Sequence, residues 1–151
     1  MLKTRILSAL LILFAIGVNA KPTLSKDPVA ATGIQFFKGT FKQALAKAKK
    51  ENKMIMMDCY TTWCGPCKIL KNQVFTDKAL GDYMNQKYIC VAMDYENGEG
   101  PAVAQKYPVD AYPSIYFIDS NGKPKTIMVG VPNPIPNAAN VILAQAKKFV
   151  K

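Results

Sequence analysis

Histidine does not occur in this 151-residue chain, and cysteine occurs only four times. A closed structural zinc site takes four cysteine or histidine ligands, and the chain has a single C-x-x-C pair, Cys64 and Cys67, with no second pair and no histidine to complete it. A c-type haem needs histidine directly after the second cysteine, where Lys68 stands. Neither metal nor cofactor is therefore expected. Acidic residues are also sparse, 10 against 20 basic ones, for a formal charge of +10. That excess favours anionic surfaces through the summed field. The lysines, however, are spread from Lys21 to Lys151, with one local concentration at Lys47, Lys49, Lys50 and Lys53 and no nucleic-acid motif beside it. Nucleic acid is not an expected partner. No apolar run reaches the ~20 residues of a spanning helix, and the chain has no repeats or low-complexity tract.

The longest apolar run lies at the start, from Ile6 to Val18, preceded by Lys3 and Arg5 and followed by the small-residue site Val18-Asn19-Ala20. This is the pattern of an export signal cleaved after Ala20, with an uncleaved N-terminal anchor as the alternative. Residues 1–20 are read as that signal, 21–32 as a polar, proline-containing lead-in and 33–151 as one domain, large enough to bury a core of its own. The expected location is exported, periplasmic or otherwise extracytoplasmic.

Hydrophobic periodicity divides the domain. Gly33–Phe37 reads as a short strand. Thr40 and Gln43 form a capping-box pattern opening a helix that runs to about Asn52, with Ala44, Leu45 and Ala48 on its apolar stripe. Met54–Tyr60 is an apolar run of strand length, as expected of a buried parallel strand. A helix follows Cys64 through Asn72, and a second helical stretch covers Asp77–Gln86. Tyr88–Met93 is the next strand. Pro101 opens a helix over Ala102–Tyr107. Ser114–Ile118 is a strand, and Asn121-Gly122 signals a tight hairpin into Thr126–Val129. A final helix over Asn137–Phe149 places Ala138, Ile142, Ala146 and Phe149 on one face. Alternating strands and helices that end in a hairpin predict an α/β domain: a mixed sheet of four to five strands flanked by helices on both faces.

The chemistry centres on Trp63-Cys64-Gly65-Pro66-Cys67. Cys64 at a helix N-terminus faces unpaired N–H groups and the positive end of the macrodipole, which favour a thiolate. Cys67, three residues on, shares that face within reach of a disulfide. Pro66 stiffens the first turn, and Gly65 leaves room for an incoming chain. Cys59 and Cys90 each stand alone in an apolar strand and read as buried apolar thiols. If Cys90 shares a face with Asp58, Cys59 points the other way and a Cys59–Cys90 bridge is not expected.

Five features in register resemble the thioredoxin family over most of the chain, from about Phe36 to the last helix. They are the Trp63–Cys67 motif, Asp58 six residues before Cys64, Tyr112-Pro113 ahead of a strand, Asn121-Gly122 in the hairpin, and Gly130 after it. The resemblance implies a thioredoxin fold and a redox disulfide between Cys64 and Cys67. It also implies a buried acid at Asp58 and a cis-proline at Pro113 that would expose the backbone of Tyr112 to an extended substrate. Asp58 would exchange a proton with Cys67; a plain backbone-capping role is the alternative, as is a trans Pro113. Trp63, Gly65, Pro66, Tyr112 and Pro113 are the expected substrate contacts. The chain departs from the family at Cys90, near a point where a lysine is common, at Tyr60, where tryptophan is frequent, and at Thr61-Thr62, which carry no charge.

The expected activity is thiol–disulfide exchange, most simply reduction of disulfides in exported proteins. Gly65-Pro66 resembles reducing members, and the histidine of typical exported oxidants and isomerases is missing. Oxidation or isomerisation, or a non-catalytic binding module, are the alternatives. Implied partners are protein disulfide or dithiol substrates and a membrane thiol electron donor, with the protein itself a monomer.

Overall fold

A computed structural model of the chain describes residues 32–150. The expected signal segment, all but the last residue of the lead-in, and Lys151 lie outside the described residues. Four strands form one mixed sheet: β1 (Met54–Tyr60), β2 (Tyr88–Asp94), β3 (Ser114–Ile118) and β4 (Pro124–Val129), in the order β2-β1-β3-β4. β1 runs parallel to β2 and antiparallel to β3, which pairs antiparallel with β4. The helices are α1 (Phe41–Glu51), α2 (Gly65–Ile69), α3 (Lys78–Lys87), α4 (Gly100–Lys106) and α5 (Ala138–Lys147). None of the described helices is long and apolar enough to cross a membrane.

The period of two along each strand separates the core into two layers. Ile55, Met57 and Cys59 of β1 face one layer, with Phe41, Ala44 and Ala48 of α1 and Val103 of α4. Met56 faces the other, with Leu70, Val74, Leu80 and Met84, and with Ala138, Ile142 and Ala146 of α5. Every residue of β1 between its ends is buried, because this strand is interior to the sheet and covered on both faces.

The local signals of α1 hold. Thr40 accepts from the Gln43 N–H and the Gln43 side chain accepts from the Thr40 N–H, while Asn52 closes the helix in the left-handed region at φ 51°. Two expectations need correction. The segment 33–37 is not a strand but makes one bridge, Phe36 to Cys90. Its backbone groups are taken elsewhere: Ile34 N–H donates to the Phe75 carbonyl at 2.7 Å, Gln35 N–H to Asn85 Oδ1 at 2.8 Å, and the Asn85 amide donates to the Gly33 carbonyl at 3.0 Å. The helix after Cys67 does not stay α-helical but widens into a π-turn over Leu70–Val74, where Phe75 N–H donates to the Leu70 carbonyl. The expected tight hairpin forms. The Asp119 N–H pairs with the Lys123 carbonyl around a three-residue loop, the Asp119 carboxylate accepts from the Asn121 and Lys123 N–H groups, and only Gly122 adopts positive φ, at 82°.

Candidate functional site

The loop between β1 and α2 delivers the cysteines. Cys64 caps α2 in extended conformation, and its Sγ accepts from the Cys67 N–H at 3.1 Å. The two residues, with Cα atoms 5.3 Å apart, form a disulfide, and both are nearly buried while Gly65 and Pro66 remain exposed. Trp63 is 65% exposed. Its indole N–H donates to the Glu96 carboxylate, at 3.0 and 2.9 Å to the two oxygens, and Tyr112 stands edge-on to it at 6.1 Å.

The Tyr112-Pro113 bond is cis, as the resemblance implied, and so is Asn133-Pro134, which no sequence feature had marked. The Pro113 carbonyl accepts from the Gly130 N–H at 2.8 Å, with Gly130 at φ 80°. Trp63, Tyr112, Pro113 and Gly130 thus meet at one edge of the disulfide loop.

Asp58 lies in β1 opposite Ala92 of β2 and Ile115 of β3. It is 5% exposed, and Oδ1 has no hydrogen-bond partner. Burial pushes its carboxyl up to about 7, against a smaller opposing pull from Lys71. A carboxyl in that range can give or take a proton near neutrality. The unpartnered oxygen does not fit the alternative of a simple capping role. A cleft of about 540 Å³ joins Asp58 to Cys67 and is lined also by Phe36, Thr61, Lys71 and Phe75. Thr61 Oγ1 is the other buried side-chain atom without a partner among the described residues.

The two remaining cysteines are free and buried on opposite faces, as expected. Cys90 pairs in register with Met56, on the Asp58 side, while Cys59 packs in the other layer. Burial pushes the Cys59 thiol up to about 12 and also raises the Cys90 thiol.

Sequence reasoning missed Glu96 and Lys71. Lys71 had a usable signal, because a residue four beyond Cys67 shares its helix face. Glu96 had none, being far from Trp63 in the chain.

A C-x-x-C disulfide capping a helix, joined by one cleft to a buried acid, on a mixed α/β sheet that also carries a cis-proline, defines a thiol–disulfide oxidoreductase of thioredoxin fold. Residues 41–142 match the family model described as the thioredoxin-like domain, and the chain belongs to that family. It is 41% identical to a solved protein from Bacteroides thetaiotaomicron named as a candidate disulphide-isomerase, covering 76% of this chain and 95% of that one with a TM-score of 0.64. Identity is 30% over 95 residues to the rice thioredoxin Y, chloroplastic, and covers 63% of this chain. It is 29% over 112 residues to the thiol:disulfide interchange protein DsbD of Vibrio vulnificus, covering 73% of this chain. The chain spans 53% of the rice relative and 17% of the Vibrio one.

Proposed function

We propose that the protein is an exported disulfide reductase whose Cys64–Cys67 dithiol reduces disulfides of exported proteins. The observation that carries the reading is the pairing of a helix-capping Cys64 with a Cys67 that shares a cleft with the unpartnered Asp58. In the reduced enzyme, Cys64 thiolate attacks one sulfur of a client disulfide. A mixed disulfide forms and one client thiolate leaves. Asp58 takes the proton of Cys67, whose sulfur then attacks Cys64 Sγ, closing the enzyme disulfide and releasing the second client thiolate. Two electrons pass from the dithiol to the client, and two protons complete its thiols. Trp63, Gly65 and Pro66 frame the approach, and the backbone of Tyr112 beside Pro113 receives the client segment as an added strand.

The apolar run of residues 6–18 behind Lys3 and Arg5 supports export. A reductant outside the cytoplasm needs electrons from within, so a membrane thiol carrier is the implied donor. Gly65-Pro66 and the absence of histidine support the reducing direction. Isomerisation is the second reading, favoured by the description of the Bacteroides relative.

Insulin reduction driven by dithiothreitol tests the enzyme against a mere binding module: Cys64→Ser should abolish turnover, and Cys67→Ala should trap a mixed disulfide with the client. Equal insulin reduction by Cys64→Ser and the unaltered chain would show that this pair does not carry it. The potential of the pair separates direction, with ~−270 mV expected of a reductant and ~−120 mV reversing the assignment to an oxidant. Rescue of scrambled ribonuclease without net reduction would favour the isomerase. Recovery of a chain beginning at Lys21 from an extracytoplasmic fraction is the expected outcome for export.

A further inference from the structure

On the Asp58 side of the sheet, the flanking strands offer no cation. Its register partners are Ala92 and Ile115, and the β2 residues on either side of Ala92 on that face are Cys90 and the acidic Asp94. The other groups around the carboxyl come from three places. Tyr60 and Thr61 lie at the end of β1 and just after it, Cys59 lies behind it on the opposite face, and Cys67, Lys68 and Lys71 come from α2 and its π-turn. Cys67 of α2, Lys71 of the π-turn and Phe75 just after it all line the same cleft, which brings the resolving sulfur, a cation and an apolar wall together. Among the described residues, Lys71 makes no ion pair that would hold it elsewhere. Asp58 Oδ1 and Thr61 Oγ1, both buried and without hydrogen-bond partners, belong to residues that line this space.

We propose that Lys71 is the positioning residue for the Asp58 proton, supplying from the helix that follows Cys67, through the cleft, the positive charge that neither flanking strand provides. The inference rests on the reading of Asp58 as proton acceptor for Cys67. Burial raises the carboxyl, and a cation across the cleft counters this in part by favouring the carboxylate. Neither Trp63 nor Tyr112 lines the cleft.

The experiment follows the side-chain carboxyl carbon of Asp58 by 13C NMR through a pH titration of the oxidised full chain. The same pH series is read out by single-turnover resolution of a mixed disulfide in the reduced enzyme. The Asp58 midpoint near 7 should rise by about half a pH unit in Lys71→Met, a modest shift because the lysine is exposed and partly screened. Resolution below the midpoint should slow by about threefold, the same half unit expressed as a ratio. Lys71→Arg should restore both, and 1 M salt should shrink the difference. Lys68→Met, which removes a charge from the same cleft, should move the midpoint less. An unmoved midpoint in Lys71→Met, or an equal shift in Lys68→Met, overturns the proposal. If Asp58→Asn removes the pH step while Lys71→Met leaves it in place, the role of Lys71 falls and that of Asp58 stands. A step that survives Asp58→Asn overturns both.

Discussion

Asp58 opposes the fold once it ionises, because its charge is buried and one oxygen has no partner. With a folded-state value of about 7 against ~3.9 when unfolded, the folded state holds the extra proton between the two. Stability contributed by this group is therefore greatest below the unfolded value and is lost as pH rises toward 7. Urea denaturation of the oxidised protein should show roughly 2 to 3 kcal/mol less stability at pH 8 than at pH 5 from this source, and Asp58→Asn should remove that slope. Parallel slopes in the two proteins would refute the burial argument. Glu51 and Asp119 act outside this window, since their partners lower them and their contribution is lost only in more acid solution. The buried thiols give a second test. Raised by burial, Cys59 and Cys90 should stay unmodified when the reduced native protein meets iodoacetamide, while Cys64 is alkylated, as read by mass spectrometry. Trp63 is the chain's only tryptophan, so its fluorescence reports the docking edge directly. Glu96→Ala should lower its anisotropy by freeing the indole from its acceptor.

At the scale of elements, the features that a sequence displays locally are those that hold. α1 was legible because its cap, its apolar stripe and its stop all lie within the same stretch. Thr40→Ala should cost about 1 kcal/mol by urea denaturation, the usual worth of an N-cap. The segment 33–37 was misread because its hydrogen-bond partners, Phe75 and Asn85, lie in the turn before α3 and in α3 itself. That contact is close: a Cβ on Gly81 would come within 2.3 Å of the Gly33 backbone. Gly81→Ala should therefore lower stability by about 1 to 3 kcal/mol despite its better helix propensity. The π-turn likewise left no local trace, since Leu70, Val74 and Phe75 satisfy an apolar pattern whether the turn holds four residues or five.

Across the whole molecule, the excess of basic over acidic residues gives a positive field, which would steer acidic clients of the proposed reductase before they touch. Reduction of a disulfide peptide flanked by acidic residues should lose about tenfold in kcat/KM between low and high salt, and a peptide flanked by lysines should not. The sequence by itself determined the class of fold, because the alternation of apolar strands and amphipathic helices is imposed by two repeat lengths of the backbone. It also determined the redox pair, since Cys64 and Cys67 need only one helical turn to meet. The tertiary structure decided what surrounds them. Glu96 holds Trp63, Gly130 holds Pro113, and Lys71 reaches the Asp58 cleft because the order β2-β1-β3-β4 and the helices on either face bring separate segments together. Such contacts depend on burial and on register between strands, which spacing along the chain does not fix by itself.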